Sequence, residues 1–243
     1  MLLAATVLGL AAVGGVLVAT ARGRVGRAVT GPAPGRPAVA AAPVPPAAGS
    51  SALSAKGPVS AAGDIAASPA GVAWVLFQGV ALPEGSRSGP RVVDGPVRAG
   101  YTHDAAGALL AAVQISTRML LTPGDGWRRV LAVQVLPGPG REVFRVQRAQ
   151  LSAPADAVSA GFGQFAGYRF ATVTPEVAVV QVVTRFGSQT GAAAVLQVST
   201  LTVRWAAGPA GPDWRLEMQP DGTPTPTQQR AADLLGFVVW GAP

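Results

Sequence analysis

The chain has 243 residues, 49% of them hydrophobic and 13% charged, with 31 Gly, 22 Pro and no Cys. That length accommodates one domain of ordinary size, or a smaller domain with a long tail. The absence of Cys excludes disulfides, thiolate catalysis, zinc ribbons and iron–sulfur clusters. It leaves the compartment open, because an exported domain with an adequate core folds without disulfides.

The formal net charge of +7 is unevenly spread. Within the first 71 residues Arg22, Arg24, Arg27, Arg36 and Lys56 face only Asp64, a local charge of +4. Residues 72–243 hold 14 Arg against 11 acids, too near neutral for the dense basic face of a nucleic-acid-binding domain.

Residues 2–21, LLAATVLGLAAVGGVLVATA, carry no charge, and as a helix they would span the roughly 30 Å hydrocarbon core of a bilayer. Nothing polar marks a solvent face, which disfavours a buried helix of a globular core. Ala19-Thr20-Ala21 resembles a signal-peptidase site, but the positive n-region is missing and the apolar run exceeds a usual h-region. A single-span anchor is the preferred reading, with a cleaved signal peptide as its rival. Arg22, Arg24 and Arg27 follow the span and favour a cytoplasmic C-terminal side under the positive-inside rule.

Residues 22–71 contain 8 Gly, 8 Pro and 15 Ala. Such a stretch buries too little surface to offset its ordering entropy, so it reads as a disordered linker reaching about 40 Å. Folded structure begins with the apolar run 72–83, a short strand or an arm packed on the domain. Residues 84–100, rich in Gly, Pro and Arg, read as loop, which makes 72–100 an arm and loop.

From Thr102 the period becomes helical. Thr102 or Asp104 caps a helix with Ala105, Leu109, Ala112, Val113, Ser116 and Leu120 on its apolar face, ending at Leu121 before Pro123. A second short helix is expected over 125–136 with Trp127, Val130 and Leu131 on one side. A third is expected over 140–151 with Val143, Val146 or Gln147, and Gln150 facing inward.

Beyond Phe162 the pattern is β. Tyr168, Phe170 and Thr172 alternate, and Val177–Thr184 is apolar on both faces, as in a central strand. Residues 192–206 and 213–218 supply two more strands. The tail 228–243 reads as a short helical turn with an aromatic end docked on the body. Helices first and then an antiparallel meander of about four strands make an α+β domain over 101–219 with a C-terminal tail over 220–243.

The supply of chemistry is thin. His103 is the lone histidine, and beside Asp104 it reads as part of a helix cap. No G-x-S-x-G elbow, phosphate loop or dinucleotide fingerprint occurs. The glycines of GFGQFAG (161–167) precede a strand where a phosphate-binding loop would follow one. Arg204-Trp205 and Trp214-Arg215 fall on adjacent strands, and the preferred reading buries the Trp and solvates the Arg. An aromatic–Arg ladder for single strands is the rival.

The string GYRFATVTPEVAVVQVVTRFG, followed by LTVRWAAGPAGPDWRLEM, resembles actinobacterial conjugal-transfer proteins of the TcpC-like group. These are related to the periplasmic assembly factor of VirB-type IV secretion systems. Trp205, Asp213, Trp214, Arg215 and Leu216 match the group's W-x-x-GDWRL hairpin with Gly-Pro inserted in the turn, and GPVRAGYTHDAAGALLAAVQ and GFVVWGAP fit proteins of integrative and conjugative elements.

The resemblance implies a nuclear-transport-factor-2-like (cystatin-like) cone: three N-terminal helices packed on a curved antiparallel sheet of about four strands. It also implies a membrane-anchored structural component of a conjugative DNA-transfer channel, with the folded domain extracytoplasmic. Its partners would be other transfer-channel proteins, the membrane through residues 2–21, and a second copy in a homo-oligomer. No direct nucleic-acid contact, catalytic residue, metal or cofactor is expected. The alternatives are a ligand binder or isomerase-like enzyme using the cone, with Tyr101, Asp104 and Tyr168 as its polar groups, and a secreted binding module.

Overall fold

A computed structural model describes residues 67–150, 163–187, 194–209, 211–224 and 228–243. The expected span over 2–21, the linker as far as residue 66 and Gly161 of the glycine motif lie outside the described residues. Among the described residues no helix is long and apolar enough to cross a membrane.

Two hairpins open the fold. Strands β1 (Val72–Phe77) and β2 (Val80–Gly85) pair antiparallel. They are joined by Gln78-Gly79 with φ of 49° and 83°, the paired positive values that a type I′ two-residue turn requires. Strands β3 (Val92–Asp94) and β4 (Val97–Ala99) form a second, shorter hairpin.

Three helices follow: α1 (Ala105–Leu121), α2 (Gly126–Gln134) and α3 (Pro139–Gln150). Asp104 caps α1, its side chain accepting from the Gly107 N–H, and the Thr122 N–H closes the helix on the Arg118 carbonyl. Of the 17 residues of α1 all but Ala106 and Leu120 are buried, where a one-sided helix was expected. A helix covered on every side must have neighbours on every side. Here they are β2, β4 and α2 together with the sheet strands β6, β7 and β8.

The remaining strands are β5 (Gln164–Val173), β6 (Val177–Phe186), β7 (Val195–Gly208), β8 (Gly211–Leu216), β9 (Gln228–Ala231) and β10 (Val238–Val239). They form one six-stranded antiparallel sheet ordered β10-β5-β6-β7-β8, with β9 pairing β7 beside β8. The alternation of β6 splits between two cores. Ala178, Val180 and Val182 join the main core with Leu109, Val113, Val203, Trp214 and Leu216. Val183 instead joins Ala166 and Val198 in a smaller cluster on the other face, covered by Leu234 and Phe237 of the tail.

This architecture corrects the expected α+β, nuclear-transport-factor-2-like cone. Among the described residues strand predominates, 42% strand against 25% helix. The helices come after four strands rather than first, and the sheet has six strands rather than about four. Each departure has a local cause. Residues 72–100 read as arm and loop because their Gly and Pro interrupt alternation, yet those residues build the turns of two hairpins. The tail read as a helical turn, yet it supplies β9 and β10 to the sheet. In α3 the face is also reversed: Phe144 and Arg148 are buried, whereas Val143 and Val146 are exposed.

Gly107 shows how closely α1 is held. A Cβ there would meet the Thr102 carbonyl oxygen at 2.0 Å. An interior helical Gly→Ala change ordinarily gains about 1 kcal/mol. Gly107→Ala is expected to reverse that sign and cost about 1–3 kcal/mol through overpacking, measured by equilibrium denaturant unfolding.

Candidate functional site

The densest set of specific polar contacts converges on β8. Asp213, Trp214 and Arg215 are consecutive and point alternately to opposite faces, so each reaches a different element. The Asp213 carboxylate accepts the backbone N–H groups of Gly100 (2.7 Å), Tyr101 (3.2 Å) and Trp214 (2.9 Å). The Trp214 indole, 1% exposed, donates to the Thr102 carbonyl at 2.9 Å. Burial raises the Asp213 pKa from its ordinary value, opposed by the three backbone N–H groups that favour the anion.

Arg215 was expected to be solvated and is instead 8% exposed. Its guanidinium donates to the carbonyls of Ala207 (3.0 Å), Val135 (2.9 Å) and Ala132 (3.5 Å). The last two are free carbonyls at the C-terminus of α2, where a cation complements the helix dipole. Arg204, its cross-strand partner, is exposed and paired with Glu217 at 2.7 Å, so the solvated reading holds for one Arg of the two.

His103 departs from its expected capping role. Its ring stacks on Trp205 with centroids 4.0 Å apart and meets the edge of Trp214 at 5.8 Å. Its Nε2–H donates to the Pro175 carbonyl. Trp205 is therefore covered by His103 and Trp214 is buried, which leaves no open aromatic–Arg ladder at these strands.

The three residues named for a cavity do not converge. Asp104 is exposed, its Oδ1 taken by the Gly107 N–H at 2.7 Å and the Thr102 hydroxyl at 2.8 Å. Tyr168, on β5, donates its hydroxyl to the Ala67 carbonyl at 2.8 Å, and burial pushes its pKa up to about 12. The Tyr101 hydroxyl is buried with no hydrogen-bond partner. Burial, then the Asp213 charge, raises its pKa well above the ordinary phenol range. A recess beside the β8 residues, lined by Ala99, Gln134, Asp213 and Arg215 among others, admits no more than a water-sized guest.

Sequence reasoning missed a set of amide clips. Gln164 accepts from the Ala81 N–H and donates to the Gly79 carbonyl. Gln134 accepts from the Arg98 N–H and donates to its carbonyl. Gln114 donates to the Pro83 carbonyl at 2.9 Å and accepts from Arg118 Nε at 2.6 Å. Arg118, 2% exposed, lies 4.2 Å over the Phe77 ring. Burial, then the nearby Arg98, lowers its pKa to about 10. The available signal was Gln114 and Arg118 at i, i+4 inside a helix with no other charged or amide side chain. Among the described residues no cluster of three or more His, Asp or Glu could hold a metal ion.

Two predictions follow from this geometry. Asp213→Ala would leave three backbone donors unpaired and cost about 3 kcal/mol or more. Asp213→Asn, which keeps one acceptor oxygen, would cost less, and denaturant unfolding orders the two. The second concerns Tyr101 and Tyr168, the two tyrosines of the chain. Unfolded, both ionise near about pH 10; folded, both are held higher, so the folded state binds more protons above that pH. Stability is therefore full below about pH 10 and falls as pH rises further. Tyrosinate absorbance at pH 10 should be absent from the native protein and appear on unfolding. Tyr168→Phe should cost about 1 kcal/mol, whereas Tyr101→Phe, which removes an unpaired buried hydroxyl, should be neutral or stabilising.

A family model described as DUF8175, a domain of unknown function, matches residues 32–239. No curated protein and no solved structure matches the chain. The matched stretch begins in the Ala/Gly/Pro-rich segment, takes in both hairpins, the three helices and the sheet, and ends on β10. The chain belongs to the DUF8175 family.

Proposed function

We propose that the chain is a membrane-tethered structural module that acts through protein–protein contacts, as a component of a conjugative, type IV secretion-like DNA-transfer channel. The observation that carries the structural part is the commitment of its polar side chains. Asp104, Asp213, Arg215, Gln114, Gln134, Gln164 and Tyr168 each hold a backbone group of the protein's own fold. A side chain whose lone pairs and protons are spent on the backbone is withdrawn from acid–base or nucleophilic work. The channel assignment rests on the sequence resemblance of residues 167–187 and 201–218 to conjugal-transfer proteins, not on the cone that those proteins were expected to share with it.

Residues 2–21 supply the anchor in this reading, 22–66 the tether, and the described domain lies on the extracytoplasmic side. Its near-neutral charge after residue 71 suits a protein partner better than a phosphate backbone.

Affinity capture of the tagged full-length chain from a donor cell is expected to recover other channel components, and deletion to abolish transfer. Recovery of none, together with unchanged transfer, would overturn the proposal. Protease accessibility of the domain in intact spheroplasts tests its side of the membrane: protection there would place it in the cytoplasm.

A further inference from the structure

The two outer edges of the β1–β2 hairpin are treated differently. Across a two-residue turn the Phe77–Val80 pair exchanges both hydrogen bonds, so the bonding residues of β1 are Phe77, Val75 and Ala73. The backbone groups of Val72, Trp74 and Leu76 then point away from β2, as do those of Ala81, Pro83 and Gly85 on the other edge. On the β2 edge these groups are satisfied. The Ala81 N–H goes to Gln164, Pro83 has no N–H and its carbonyl accepts from Gln114, and Gly85 exchanges both bonds with Gly89. On the β1 edge, among the described residues, Val72, Trp74 and Leu76 have no such partner. Leu76 is 75% exposed and Val75 41% exposed on that strand.

We propose that β1 is an interface strand that pairs antiparallel with β1 of a second copy of this chain. The choice of occupant rests on charge and on composition. A two-fold axis sets the edge segment against the same segment running the other way, so an edge carrying one sign of charge repels its copy, and residues 65–83 contain no charged residue. The other outer edges are less suited to self-pairing. The outer strand β10 is two residues long and the β5 edge beside it has Arg169, β8 carries Pro212 and Asp213, and β3 ends at Asp94 held by Arg129. The chain's own upstream segment, rich in Ala, Gly and Pro, contains no run of β-branched or aromatic residues that would compete for the edge.

With the axis at Trp74, its backbone exchanges bonds with the partner's Trp74, and Val72 exchanges bonds with the partner's Leu76. Ala73 lies opposite the partner's Val75 in a non-bonded pair, where Cα atoms are about 4.5 Å apart. Such pairing lays exposed Leu76 over the partner's Val72 and completes the open ladder, as in β-strand addition generally. This interface is independent of the channel assignment.

The test uses the full chain in mild detergent. The native sequence has no Cys, so every disulfide reports an introduced pair. Ala73→Cys and Val75→Cys change exposed side chains. Mixed together and oxidised, they are expected to give a cross-linked dimer, whereas each variant alone is not. Sedimentation of the parent is expected to show a dimer, which Leu76→Lys converts to monomer with the circular dichroism unchanged. A monomeric parent, a dimer indifferent to Leu76→Lys, or equal cross-linking in mixed and separate samples would overturn the proposal.

Discussion

Three consecutive side chains on one edge strand decide how the helical layer sits on the sheet. Asp213 gathers the N–H groups that end β4, Trp214 takes the carbonyl just before α1, and Arg215 takes the carbonyls that end α2. Strand alternation makes this possible, because it sends the indole to one face and the two charged groups to the other. The bonds are partly or fully buried and mostly charge-assisted, the class in which an unmade partner is most costly. A change in β8 is therefore felt at both ends of the helical layer at once.

The first helix gives the clamp its purpose. Small residues dominate α1, whose leading segment also folds back closely at Thr102 against Gly107, and burial of nearly the whole helix leaves little solvent-facing surface. The polar residues inside it must then find partners within the protein. Gln114 and Arg118 do so with the Pro83 carbonyl and the Phe77 ring, which ties the first hairpin to the helix. Burial of the helix and attachment of the hairpin are two results of one packing arrangement.

The legible parts of the sequence were those in which local chemistry and tertiary structure agree. Asp104 before an apolar 3.6-residue period marks the start of α1, and the two-faced apolar run of β6 marks an interior strand. Illegible were elements whose pattern is shorter than the period being sought. Three-residue strands such as β3 and β4 cannot display alternation, and Gly95-Pro96 between them looks like simple loop. The reversal of α3 came from weighting Val143 and Val146 over Phe144, where one aromatic in a well-shaped site outweighs two valines on the rim. Arg215 was misplaced because a charged residue next to Trp is ordinarily solvated. Only the three-dimensional position of the α2 C-terminus shows the carbonyls it would meet. Apart from the Gln114–Arg118 spacing in α1, the clip-forming Gln residues have no sequence signature, since the backbone groups they hold lie 31 to 85 positions away. The cone failed for a related reason: the resemblance was carried by a hairpin motif, and one hairpin does not dictate how many strands join its sheet.

The attachment of Ala67 and Ser68 to the sheet has a mechanical consequence. The Ala67 carbonyl is held by the Tyr168 hydroxyl on β5, and the Ser68 hydroxyl donates to the carbonyl of Val239 on β10. Tension arriving along the upstream segment would thus load β5 and β10 before it reached the hairpin beginning at Val72. The tyrosine acts as strain relief, in the way a cable is clamped to a chassis ahead of its connector. Because β5 is bonded along its length to β6, such a load would spread into the sheet rather than peel its outermost hairpin.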